Sequence, residues 1–118
     1  MVNRHVLTRE QAFHAMENGE FPQEVTASAE TVVVIMTQDW CPQWQYLKNW
    51  VYNIQTPKAL DIYELVYNQT DYFRQFAGFK ENKWNNDEIP YLRYYKDGKL
   101  IKETNSVSSE VFRTITGI

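Results

Sequence analysis

A chain of 118 residues, 43% hydrophobic and 23% charged, has globular proportions and room for a single domain spanning residues 1–118. Its formal net charge of −3 provides no electrostatic footprint for nucleic acid or an anionic membrane surface, so neither is expected as a partner. Eight Tyr, six Phe and four Trp supply the aromatic mass of a dense core.

Residues 1–30 contain Arg4, Glu10, Glu17, Glu20 and Glu24 and no unbroken apolar stretch, so no secretory signal is expected there. The most apolar run, Val32 to Met36, is far too short to span a bilayer. One cysteine, Cys41, cannot form an internal disulfide, and a cytoplasmic, reducing location is the default expectation.

Val6 and Leu7 form a possible short first strand. Thr8-Arg9-Glu10-Gln11 reads as a capping box that starts a helix with Ala12, Phe13, Ala15 and Met16 on its apolar stripe, closed at Asn18-Gly19. Residues 20–30 read as loop. Thr31 to Thr37, with five consecutive apolar residues, is the pattern of a strand buried on both faces. Pro42 suits the first position of a helix, which puts Cys41 at its N-cap. Trp44, Leu47, Val51 and Ile54 share one face of that helix, and Pro57 stops it.

Leu60 to Tyr67 reads as a second buried strand, and Asn68 to Asp71 as a turn and cap. Tyr72, Phe73, Phe76 and Ala77 mark a short helix closed by Gly78, followed by a polar, turn-rich stretch from Lys80 to Glu88. Two apolar runs, 90–95 and 100–104, flank Asp97-Gly98, a hairpin signal. Ser108 or Ser109 caps a last helix carrying Val111, Phe112 and Ile115. Alternating strands and helices, then a hairpin, predict an α/β fold: a mixed central sheet with helices on both faces.

This order resembles the thioredoxin family, and local residues support the likeness. A buried strand runs into Trp40-Cys41-Pro42-Gln43-Trp44 where thioredoxins carry Trp-Cys-Gly-Pro-Cys. Ile89-Pro90 precedes a strand, Asp97-Gly98 turns a hairpin, and His5-Val6-Leu7-Thr8 is similar to the family's first strand and cap. The resemblance covers nearly the whole chain and implies a thioredoxin-like fold. It also implies a cis Pro90 that presses Ile89 and Pro90 against Cys41, in a loop whose backbone receives an extended peptide. Trp40 matches the family's surface tryptophan, which borders a partner groove; plain packing is the other reading. Two departures stand out. Trp44 fills the resolving-cysteine position, and Ile35 stands where many thioredoxins bury an acid. A dithiol cycle needs an internal second thiol, so ordinary dithiol thioredoxin activity is excluded.

The candidate site is therefore Cys41 as nucleophile, with Trp40, Pro42, Trp44, Ile89 and Pro90 shaping a binding groove. Cys41 at a helix start is favoured as a thiolate by the helix field and its free N–H groups, with Asp39 opposing if close; a free cysteine also serves as a small buried hydrophobe. Trp44 is either core packing or a lid beside the sulfur. Trp84 either borders the groove or folds back onto the domain. His5 and His14 lack partners at metal-ligand spacing, and no Gly-rich phosphate loop exists, so no metal or cofactor is expected.

Two functions follow. In one, Cys41 acts as a monothiol, forming mixed disulfides with a protein partner, glutathione or another small thiol. In the other, Cys41 is a relic, and a non-redox thioredoxin-fold module binds an extended peptide or partner protein in the same groove. A small subunit that oligomerises through its aromatic surface is a third, blander reading.

Overall fold

All seven residues of Thr31–Thr37, the strand β2, are buried, as the apolar run requires. In the computed structural model, which describes residues 1–118, β2 lies at the centre of a five-stranded sheet. Its neighbours are β3 (Leu60–Val66), parallel, and β4 (Tyr91–Lys96), antiparallel. The edges are β1 (Val2–Val6), parallel to β3, and β5 (Lys99–Thr104), antiparallel to β4. The order β1-β3-β2-β4-β5 is the mixed sheet expected from the alternation of elements.

Period-two alternation divides the core into two layers. Val32, Val34, Met36, Tyr63, Leu65, Tyr91 and Tyr95 face one side with Ala12, Ala15, Val25 and Phe76. Those last four come from α1 (Arg9–Asn18), α2 (Gln23–Thr26) and α4 (Phe73–Asn82). Val33, Ile35, Ile62, Leu92 and Tyr94 face the other side, against Trp44, Leu47 and Val51 of α3 (Pro42–Val51) and Phe112 of α5 (Ser109–Thr116).

The local signals at the element ends are present. Thr8 and Gln11 make the reciprocal capping box, Gly19 and Gly117 close α1 and α5 in left-handed conformation, and Ser108 accepts from Val111 N–H. The boundaries differ at several points; the second buried strand, for one, ends at Val66, and Tyr67 opens a one-turn 3-10 helix. The first strand is Val2–Val6, and Leu7 lies beyond it, its N–H donating to Glu64 O at 2.9 Å. Residues 20–30 hold the one-turn helix α2. The helix after Cys41 stops at Val51, six residues before Pro57, and Ile54 is buried outside it. Gly78 does not end α4. A helix tolerates a glycine, and α4 continues four residues further because Phe79 packs on the core and Lys80 is buried.

Arg93 of β4 points into the first layer. Its guanidinium donates to Tyr95 OH at 2.9 Å, Tyr91 OH at 2.8 Å and Glu20 Oε2 at 2.7 Å, so the buried charge is paired. It lies 4.2 Å from the centre of the Trp84 ring. Trp84 thus folds back onto the domain, packed against Phe79 and Tyr91, its indole N–H donating to Gly19 O at 3.1 Å.

The β4–β5 turn places Asp97 at φ 51° and Gly98 at φ 80°, the double positive-φ geometry of a two-residue hairpin turn. A Cβ at Gly98 would also lie 3.3 Å from Ala27 Cβ. Gly98→Ala should therefore lower stability by about 1–2 kcal/mol, seen as a lower urea midpoint with an unchanged slope. An unchanged midpoint would contradict the turn geometry.

Candidate functional site

The C-terminal end of β2 delivers Gln38, Asp39 and Trp40 to a turn closed by Cys41 N–H donating to Gln38 O at 3.2 Å. Pro42 then begins α3 with Cys41 at the N-cap. Each residue of the turn is tied down. Gln38 accepts from the Trp40 indole at 2.6 Å and donates to the buried Tyr67 hydroxyl at 3.3 Å, whose pKa is pushed up by burial. The Asp39 carboxyl is engaged by residues 68 and 69. Hydrogen bonds from Asn68 at 2.8 Å and Gln69 at 3.1 Å hold its carboxyl below the usual carboxylate range.

Cys41 is only 1% exposed and packs with Ile35, Trp44 and Leu47. Its sulfur caps no backbone N–H of α3, contrary to the expectation from its position. The thiol donates instead to the Gln43 side chain, Sγ to Oε1 at 3.5 Å. Trp44, 2% exposed, is part of the same buried layer. Ile35, where an acid would stand, is fully buried in that layer too. Trp40 is 63% exposed and Pro42 is on the surface.

The register of β2 on β4 sets Met36 opposite Tyr91, which brings Pro90 to the same end of the sheet. The Ile89–Pro90 bond is cis. Ile89 packs against both core layers. Neither its N–H nor its C=O has a hydrogen-bond partner within the chain.

A cleft of about 320 Å³ opens beside Pro90. One wall is Gln43, Tyr46 and Leu47 of α3; the other is Ser106-Val107-Ser108, the loop between β5 and α5. No lining residue is charged. Of the residues singled out by sequence, Pro90 lines this cleft and Ile89 adjoins it in the chain. Trp40 and Pro42 lie on the surface outside its lining, and Cys41 and Trp44 lie beneath, in the core. The groove expected around the sulfur lies apart from it because Cys41 is buried in the core layer that also holds Trp44 and Ile35. Gln43, Tyr46 and Val107 were not picked out by sequence. The Ser108 cap was the one signal marking the end of the loop that forms the second wall.

No family model matches the chain, and no curated relative matches it. Solved structures do. Thioredoxin O2 from Arabidopsis thaliana, in the oxidized state, superposes with a TM-score of 0.67 over 97% of this chain and 91% of its own, at 16% identity. A mutant thioredoxin from Halobacterium salinarum gives 0.64 over 97% and 88%, at 14% identity. Thioredoxin F from spinach chloroplast, long form, gives 0.66 over 98% and 84%, at 9% identity. The chain therefore has the thioredoxin fold, built around a single cysteine. No helix is long and apolar enough to cross a membrane.

With Cys41 sealed, iodoacetamide should label it far more slowly in native protein than in urea-unfolded protein. Trp44→Ala should speed native labelling at least tenfold while costing about 3–5 kcal/mol of stability. Native labelling as fast as in the unfolded chain would contradict the seal.

Proposed function

We propose that this protein is a thioredoxin-fold binding module whose cleft beside Pro90 receives an extended segment of a partner protein or peptide. The observation that carries the reading is the free N–H and C=O of Ile89 next to an uncharged, largely apolar cleft. An extended segment would pair with Ile89 as an added strand and lay one bulky side chain between Tyr46, Leu47 and Val107. The volume is at the low end for binding sites, roughly 300–1,000 Å³, which suits one or two side chains. Lack of lining charge favours neutral, apolar side chains over acidic or basic ones.

The monothiol reading has one observation in its favour: Gln43, the partner of the Cys41 thiol, also lines the cleft. In that chemistry the Cys41 thiol loses its proton and attacks a disulfide. A new S–S bond forms to one sulfur, and the other leaves as a thiolate. A second thiol must then release the mixed disulfide, since Trp44 replaces the internal one. Burial of the sulfur in an apolar layer with Ile35 favours the binding reading.

Selection of phage-displayed random peptides on the immobilised protein should enrich sequences with a bulky uncharged apolar residue. Val107→Asp should weaken a selected peptide about tenfold, a loss of about 1.4 kcal/mol, and Cys41→Ala should leave binding unchanged. Glutathione disulfide should give no mixed disulfide with native protein. Recovery of binders only through a disulfide to Cys41, with rapid glutathione adduct formation, would replace this reading with the redox one.

A further inference from the structure

Lys80, near the end of α4, is 1% exposed, and no carboxylate pairs with it directly. Its ammonium donates to three neutral oxygens: Asn86 O at 2.8 Å, Asn86 Oδ1 at 3.2 Å and Glu88 O at 2.7 Å. The loop it grips leads directly into Ile89-Pro90. On the far side of that loop stands Asn105, next to Ser106 in the second wall of the cleft. Its amide nitrogen lies within reach of Asn86 Oδ1 at 2.9 Å, Pro90 O at 3.2 Å and Glu88 O at 3.3 Å. Asn86 returns a bond to Asn105 Oδ1 at 3.2 Å. Two oxygens, Asn86 Oδ1 and Glu88 O, are thus shared between the lysine and Asn105.

An ammonium has three N–H donors, matching the three oxygens. A neutral amine has two donors and a lone pair, which faces one of those oxygens unfavourably. The longest bond, to Asn86 Oδ1, is the one that yields, and that oxygen makes the shorter of the two shared contacts to Asn105, 2.9 Å against 3.3 Å at Glu88 O. We propose that Lys80, Asn86 and Asn105 form a proton-dependent latch that sets the spacing between the loop leading into Pro90 and the Ser106–Ser108 wall of the cleft, closed while Lys80 is charged and loosened when it loses its proton. Its role in partner binding rests on the binding reading above; the latch itself is a property of the free protein.

Burial draws the Lys80 amine down to about 8, against the pull of Glu81, Asp87 and Glu88. The face of Tyr91, with Lys80 Nζ 5.5 Å from its ring centre, packs on it from β4, and Asn105 brings no charge from the β5–α5 loop. The unfolded lysine keeps its proton to a pH near its model value of 10.5. Between these two pH values the unfolded state binds more protons, so the contribution of Lys80 to global stability rises with pH. Loosening of two loops is therefore separable from unfolding.

The test follows the methyl signals of Ile89 and Val107, one in each of the two loops, by NMR of free protein from pH 6.5 to 9.5. Both should shift with one common midpoint near 8. Lys80→Met should abolish both transitions. Asn105→Ala should leave the Ile89 transition and remove that of Val107. Absence of any transition in the native protein, its persistence in Lys80→Met, or an unchanged Val107 transition in Asn105→Ala would each overturn the latch. If Lys80→Met does not fold, the native titration and Asn105→Ala still decide it. Failure to find a peptide ligand would sink the binding reading and leave these outcomes untouched.

Discussion

Complete burial of β2 is the constraint on which the rest of the structure depends. A strand with no solvent-facing side must satisfy its backbone through ladders on both edges and cover both faces with apolar side chains. β3 and β4 supply the ladders, α1 and α4 cover one face, and α3 and α5 cover the other. Both halves of the candidate site hang from this one strand. Its C-terminal end launches the Gln38–Cys41 turn and α3, while its antiparallel ladder with β4 carries Pro90 to the same end. Cleft and cysteine are neighbours because a single register fixes them.

They are neighbours in different environments, and that difference carries the functional argument. The cleft is open, neutral and edged by unpaired backbone. The sulfur is buried in the layer that holds Ile35, Trp44 and Leu47, with one weak polar partner in Gln43. Thiol chemistry asks for access, an incoming disulfide and a means of release. Peptide recognition asks for pre-formed backbone groups and a place for a side chain, and those do not involve the sulfur.

Much of this architecture was legible in the sequence, where local chemistry and tertiary structure agree. The capping box at Thr8, the valine run of β2, Pro42 behind Cys41 and Asp97-Gly98 each state a local geometry that packing has no reason to override. Gly78 is the opposite case. Its propensity to end a helix lost to the burial of Phe79 and Lys80 beyond it, contacts that no window of sequence displays. The site divides in the same way. Cys41 and Pro90 could be named from their motifs. The sealing of the sulfur and the cleft wall at Ser106–Ser108 depend on contacts between segments far apart in the chain. Lys80 read as the start of a polar, turn-rich stretch; an ammonium is rarely buried, and its three acceptors come from a loop whose course no local signal specifies.

The sheet's outer strand β5 bears on how this protein would meet an extended chain. A register shift opposite Tyr94 and Tyr95 interrupts its ladder, and Lys99 and Lys102 place charge along it. Bulges and lysines are how exposed edges avoid templating further strands. The unpaired groups at Ile89 are bounded differently: Pro90 follows at once and has no N–H to offer. A chain that docks there finds a single residue of ladder and then a stop. Such contact would be finite by construction, so recognition at this site would not propagate into the strand-upon-strand growth of a fibril.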